Sequence, residues 1–357
     1  MPSGEIIIAA AGGGKTTKIV ERALAAGERC ALVTYTNNNT GEISRKLYEN
    51  APSIPPGIEV VPWYTFLLRD CVRPYMGAVL AKPVTGFHFT NARSAFGIAR
   101  NKGDIFFCDK RGHVYSDKVS QLACECDEAM NGAVMTRLGE RFGRIYIDEV
   151  QDLAGWDLEL VERMMRANIN VTLIGDHRQA TFRTNPSAKN SKFQGYDIIG
   201  KFKAWEKKKF ATLSFDTETH RCNQAIADFA DRFYPKDPVT VSRNTMVTGH
   251  DGVFWVGAKD VEAYRVAFRP HVLRYNKTTK ECDAMNPMNF GESKGLTFDR
   301  VLIYPHKAGR NWLASGDYSK VEKVAALLYV ATTRARYSVA FVFDEECKLG
   351  GISKWVP

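Results

Sequence analysis

The chain has 357 residues, 45% of them hydrophobic and 25% charged, which is the balance of a globular protein with room for two or three domains. A disordered chain and a small disulfide-stapled scaffold are excluded, and no apolar run approaches the roughly 18 residues of a membrane-spanning helix. Lysine and arginine number 49 against 40 aspartate and glutamate, a formal net charge of +9 that suits a polyanionic partner without identifying one. Eight cysteines in no paired pattern, behind an N-terminus without a secretory signal, read as reduced thiols of a cytoplasmic protein.

In chain order, the apolar run Glu5-Ile6-Ile7-Ile8-Ala9 predicts a strand, and Ile19, Val20, Ala23 and Leu24 give the helical period that follows. Between them lies Ala10-Ala11-Gly12-Gly13-Gly14-Lys15-Thr16-Thr17. Three glycines let backbone N–H groups converge on phosphate oxygens at a helix N-terminus, whose dipole favours the same anion. Lys15 then reaches the β- and γ-phosphates, and Thr16 offers a hydroxyl to Mg²⁺. The spacing is that of a phosphate-binding loop, with Ala9 where the general pattern has glycine.

Cys30–Thr34 predicts a second strand. From about Arg69 to Glu140 the periodicity is weak and polar residues are many, which predicts a small, mostly helical insertion. Within it, Cys108, His113, Cys124 and Cys126 are a group of soft ligands, but their spacing matches no common structural zinc site. Ile145–Ile147 predicts a strand delivering Asp148 and Glu149 at its C-terminal end, where open α/β sheets place their ligands. Phosphoryl hydrolysis needs one carboxylate for the magnesium and another to orient water, roles that suit Asp148 and Glu149 respectively. A helix over Trp156–Met165 and strands over Val171–Ile174, Arg300–Tyr304 and Ser338–Phe343 follow. A boundary falls near Lys207–Leu213, where Lys207-Lys208-Lys209 reads as a solvated helix end. Alternating strands and helices predict an α/β fold with parallel sheets covered on both faces.

Seven ordered motifs carry a family resemblance. They are Ala9-Ala10-Ala11-Gly12-Gly13-Gly14-Lys15-Thr16, Thr34-Tyr35-Thr36-Asn37, Asp148-Glu149-Val150-Gln151-Asp152 and Gly175-Asp176-His177-Arg178-Gln179, then His220-Arg221, Ser293-Lys294-Gly295-Leu296-Thr297-Phe298-Asp299 and Tyr329-Val330-Ala331-Thr332-Thr333-Arg334-Ala335-Arg336. Together they resemble the UvrD/Rep/PcrA group of superfamily-one DNA helicases over nearly the whole chain. The resemblance implies two RecA-like P-loop domains, residues 1–212 with the helical insertion at about 69–140, and residues 213–357. It implies ATP and Mg²⁺ as cofactors, held by Ala9 to Thr17 and His220, with Thr16 and Asp148 on the metal. Catalysis would rest on Lys15, Thr16, Asp148, Glu149, Gln179 as γ-phosphate sensor, and Arg221 and Arg334 as arginine fingers. Thr34, Tyr35, Thr36, Asn37, Tyr64 and Phe182 would touch single-stranded DNA. Trp63 and Tyr64 suit either a stacking platform or a core, whereas Phe182 matches an aromatic that stacks on a base.

The chain departs from the family at several points. Only eight residues precede Ala9, leaving no glutamine for the adenine edge; His220 replaces a stacking tyrosine, Thr297 a ribose-binding glutamate and Thr17 a basic residue. Thr184 stands in place of a DNA-packing tryptophan and Gly291 in place of a histidine, which predicts a weaker DNA grip. About a dozen residues separate Asn276 from Asn289, where the family inserts a subdomain, and little follows Arg334, leaving no room for a nuclease domain. The expectation is a compact monomeric ATP-dependent translocase or helicase, moving 3′ to 5′ on single-stranded or tailed duplex DNA, in a bacterial or phage-infected cytoplasm, alongside replication, repair or nuclease partners. The rival is a nucleotide-switched DNA-binding accessory protein that recruits such a partner without unwinding. RNA as the track has no residue in its favour.

Overall fold

The computed structural model describes residues 2–90 and 92–357, without the side chain of Asn37. The chain divides into two compact units, one holding the residues up to Ile8 with Lys15–Ser214, the other Ala9–Gly14 with Phe215–Pro357. Each is α/β and built on a six-stranded parallel sheet, as expected of RecA-like domains.

The strands of the first sheet are β1 (Gly4–Ala9), β2 (Cys30–Thr34), β3 (Ile58–Pro62), β6 (Arg144–Ile147), β7 (Val171–Gly175) and β8 (Ala211–Asp216); β4 (Gly86–His88) and β5 (His113–Tyr115) form a separate parallel ladder. The sheet order is β3-β2-β6-β7-β1-β8. The near-continuous apolar sequence of these strands follows from burial on both faces. Because successive side chains alternate, Ile7, Leu32, Tyr146 and Ile174 pack on one face beneath helices α1 (Lys15–Ala26) and α2 (Asn37–Asn50). Ile6, Ile8, Val33, Ile145, Ile147 and Leu173 point the other way.

That second face is covered by the insertion. Phe66, Leu67, Phe107, Val114, Leu122 and Leu138 share one hydrophobic cluster with the sheet, so the segment is an extension of the core. Helices at Val119–Ala129 and Ala133–Arg141 supply its bulk, and the β4–β5 ladder is an element the weak periodicity concealed. Cys108, Cys124 and Cys126 lie in this core, where burial pushes their thiols up, Cys108 to about 11 and Cys126 to about 12. Among the described residues no group of three or more histidine, cysteine, aspartate or glutamate side chains is arranged to hold a metal ion. The lysine run at 207–209 is exposed at the end of helix Ile198–Lys207, which buries Ile198, Phe202 and Trp205. Among the described residues, no helix is long and apolar enough to cross a membrane.

The second unit adds β9 (Glu218–Thr219) paired with β10 (Val241–Ser242), and a parallel sheet in the order β13-β12-β14-β15-β11-β16. Its strands are β11 (Gly252–Val256), β12 (His271–Arg274), β13 (Met288–Asn289), β14 (Phe298–Tyr304), β15 (Ala335–Val342) and β16 (Ser353–Lys354). Val256, Tyr264, Val272, Leu302 and Ala340 form one of its clusters.

His250, just before β11, is sandwiched between Phe268 and Phe254, at ring separations of 3.7 and 4.2 Å, with Nε2 2.9 Å from the Tyr264 hydroxyl. Burial, and then the charge of Arg300, lowers its imidazole from 6.5 to about 4, with Asp251 opposing. A histidine held neutral in the fold but free to charge when unfolded stabilises fully above pH 6.5. That contribution drains away as the pH falls towards 4, to a loss of about 3 kcal/mol at most. His250→Phe is therefore expected to flatten the pH dependence of unfolding over this window, and an unchanged slope in denaturant titrations would refute the assignment.

Candidate functional site

The loop after β1 takes its shape from glycine. Gly12 and Gly14 have φ of +80° and +72°, a region costly for side-chain-bearing residues. At Gly12 a Cβ would also stand 2.5 Å from Arg221 Cβ and 2.7 Å from Thr219 Oγ1. The loop is laced to its own unit: Ala10 N donates to the Asp216 carbonyl (2.9 Å), Thr219 Oγ1 to the Ala11 carbonyl (2.6 Å) and His220 N to the Gly12 carbonyl (3.1 Å). His220 is exposed directly beside the glycines.

In the first unit, Lys15 and Thr16 open α1, and Thr16 Oγ1 donates to Asp148 Oδ2 across 3.3 Å. Asp148 ends β6 fully buried. Burial, and then the negative charge of Glu149, pushes its carboxyl up to about 7 against the pull of Lys15 and a bond from the Glu149 N–H. Two adjoining carboxylates, one buried, are a site a divalent cation relieves, and the Thr16 hydroxyl is near enough to share it. The residues present fit Mg²⁺.

Glu149 has φ of +56°, a left-handed backbone unusual for a side-chain-bearing residue and of the kind found at functional sites. Gln151 Nε2 donates to its carboxylate, while Gln151 Oε1 accepts from Asp176 N at 3.0 Å. Gly175 makes room, since a Cβ there would meet Gln151 Oε1 at 2.2 Å. Asp176 in turn accepts from Gln179 Nε2 (2.9 Å) and from Arg178 Nε (3.2 Å). Burial raises the Asp176 carboxyl, but Arg178, Lys15, His177 and the Gln179 bond together outweigh it and hold it at about 2. A relay of side chains thus runs from Glu149 to Gln179.

Within the second unit, Arg221 and Arg334 meet around Thr333. Arg221 Nη1 donates to the Thr333 carbonyl (3.1 Å). Arg334, 1% exposed, donates to the carbonyls of Val330 (2.9 Å) and Leu296 (3.1 Å) and to the Thr333 hydroxyl (3.3 Å).

On the first unit a cavity of about 1070 Å³ opens beside the motif residues at 34–36. Trp63 and Tyr64, adjacent in sequence, part company here. Trp63 is buried in the core against Phe66, whereas Tyr64 lines the cavity. Tyr64 touches Tyr35, Phe87 and Phe89 at ring separations of 5.4, 5.7 and 5.3 Å, and Phe182 lies 5.4 Å from Tyr35. Phe89 is 67% and Phe182 54% exposed. Tyr35 and Tyr64 share a hydroxyl bond of 2.7 Å, and burial pushes both phenols up, Tyr35 to about 12. Thr36 caps α2 by accepting from Asn39 N (3.2 Å). The hydroxyl of the buried Thr34 has no hydrogen-bond partner among the described residues. The side chain of Asn37 lies outside them.

Phe87 and Phe89 were not among the expected site residues. Their signal is the two-residue spacing of aromatics in Phe87-His88-Phe89, Phe87 on β4 and Phe89 just past its end, with ring centres 5.7 Å apart. Thr184 also has a different part from a lost DNA contact. It is buried and donates to the buried Asp157 carboxylate, which Ser120 holds from the insertion; Thr184 N bonds the Asp152 carbonyl (2.9 Å). Thr184 therefore anchors the loop that presents Phe182. Gly291 lies within a turn of 3-10 helix, Phe290–Ser293, and Thr17 accepts a bond from Lys46 Nζ on α2 at 2.7 Å.

The sequence matches the profile of the AAA domain family over residues 3–185, just over half of its length. No curated protein matches the chain. Among solved structures it is similar to the PRRSV helicase, at 14% identity and a TM-score of 0.46, over 96% of this chain and 52% of that one. Arterivirus nonstructural protein 10 (helicase) is similar at 13% identity and a TM-score of 0.48, over 95% of this chain and 59% of that one. The same protein in complex with DNA gives 13% identity and a TM-score of 0.48, over 95% of this chain and 60% of that one. The chain thus spans between half and three-fifths of these structures.

Proposed function

The chain belongs to the AAA domain family, and on that footing we propose that it is an ATP- and Mg²⁺-dependent motor on single-stranded DNA, a translocase or helicase moving 3′ to 5′. The observation that carries this reading is the Thr16, Asp148 and Glu149 constellation, joined by the Gln151–Asp176–Gln179 relay to the segment bearing Phe182. A pure binding module has no use for a second carboxylate beside a buried first one.

In this reading the loop N–H groups and Lys15 hold the triphosphate, and Thr16 and Asp148 hold Mg²⁺. The ion, when bound, neutralises charge on the β- and γ-oxygens. Glu149 accepts a hydrogen bond from the attacking water and orients it on the γ-phosphorus. Arg221 and Arg334 are proposed to meet the charge that develops there. Gln179, held by Asp176, registers the γ-phosphate, and the shared backbone and Thr184 anchor carry its displacement to Phe182. Bases of the strand stack on Phe182, Phe89 and Tyr64, gripped in one nucleotide state and released in the next.

Steady-state phosphate release with and without single-stranded DNA tests the motor. Stimulation is expected, and tight DNA binding without turnover would favour the switch-like accessory protein instead. Phe182→Ala with Phe89→Ala is expected to raise the DNA concentration for half-maximal stimulation by at least about tenfold, at roughly 1–3 kcal/mol per lost stack. An unmoved half-maximum would remove the cavity from the DNA path. Tailed duplexes of either polarity test the direction, and matched RNA oligonucleotides in competition test the track.

A further inference from the structure

Lys46 carries a charge that the site as described does not use. It sits on α2, half-buried, and its ammonium donates to Thr17 Oγ1 at 2.7 Å. Among the described residues no carboxylate lies within salt-bridge distance of it. The hydroxyl it meets is neutral, so an anion arriving at Thr17 would find a cation already directed there.

The position of Thr17 says which anion. It lies in the first turn of α1, where N–H groups have no partner within the helix and the dipole favours negative charge. The Lys46 bond thus sets helix α2 beside the first turn of α1, with its cation directed at that turn. Lys15 and the Thr16/Asp148 pair account for the β- and γ-phosphates of a nucleoside triphosphate, and they leave the α-phosphate without a countercharge.

We infer that Lys46 is a nucleotide-binding residue that holds the α-phosphate, supplying from α2 the cation that α1 lacks at Thr17. The inference rests on the reading of the first unit as a triphosphate site.

The test measures the affinity of the full chain for a fluorescent ATP analogue and the ATP dependence of phosphate release. Lys46→Met is expected to weaken the analogue and raise KM about tenfold, the effect of one charge-assisted contact, with kcat within about twofold. Lys46→Arg should retain most of the affinity, and adding Thr17→Lys to Lys46→Met should restore it by returning the cation to α1. Unchanged affinity in Lys46→Met overturns the inference. So does a loss that neither Lys46→Arg nor Thr17→Lys repairs and that tracks a lowered melting temperature, because the lysine is then a packing residue. A wild-type chain that fails to bind the analogue, or a Lys15→Ala variant that binds it as wild type does, overturns the triphosphate reading and the inference with it.

Discussion

Glu149→Gln is expected to lower ATP turnover by about 10²- to 10⁴-fold, the range for removing a positioned general base, while leaving nucleotide binding in place. The substitution is close to isosteric. Its amide oxygen can still accept from Gln151 Nε2, so the relay to Asp176 and Gln179 survives. What would be lost, in the proposed mechanism, is the negative oxygen that takes up the proton of the attacking water. Removing that charge also relieves Asp148, whose carboxyl burial and the charge of Glu149 jointly push up to about 7. With Glu149 neutral, Asp148 ionises at lower pH, and affinity for Mg²⁺ should hold or rise. Single-turnover hydrolysis beside equilibrium nucleotide binding separates the two effects. Turnover within about tenfold of wild type would take Glu149 out of the chemistry.

Asp157→Ala is the substitution expected to cost most stability, about 2–4 kcal/mol. The carboxylate is wholly buried and accepts hydroxyl bonds from Ser120 and from Thr184. Burial drives its carboxyl up to about 6 in spite of both bonds, so the network holds a group that would otherwise be expelled. Without it two buried hydroxyls lose their acceptor, and the segment carrying Phe182 loses the clamp at Thr184. The expected result is a lower denaturant midpoint with an unchanged slope, followed by the tryptophans of the first unit, Trp63, Trp156 and Trp205. Weaker DNA binding should accompany it. A shift below about 1 kcal/mol would mean that the loop is held by other means.

The strands that bear the chemistry were legible in the sequence because their order is local. Apolar runs at Ile6–Ile8, Ile145–Ile147 and Val171–Ile174 lie on β1, β6 and β7, and two-faced burial needs no more information than a continuous apolar stretch. The insertion was only partly legible. Several of its elements run to only three or four residues, as at β4, β5 and Asp104–Phe107, too short to express a period. Phe87 and Phe89 accordingly escaped notice. Trp63 and Tyr64 could not be separated from sequence because one step along the chain carries one ring into the core and the other into the cavity. Thr184 was misread for a different reason. Comparison by position registers a missing tryptophan, whereas what the threonine does depends on Asp157 and Ser120, 27 and 64 residues away in the chain. The Lys46 to Thr17 contact likewise joins two helices 29 residues apart.

The aromatic cavity has one further consequence, for the alphabet it can read. Its two tyrosine hydroxyls are engaged, Tyr35 bonded to Tyr64, and Tyr64 to the Thr184 carbonyl at 3.3 Å. Arg183 is engaged with Gln194 at 2.9 Å. The aromatic part of the wall presents ring faces and edges, and every base has a face to lay against them. A strand drawn across it would meet the same surface at each step whatever letters it carried. Progress along any message, without pausing to parse it, is what a walker requires and a sequence-specific binder avoids.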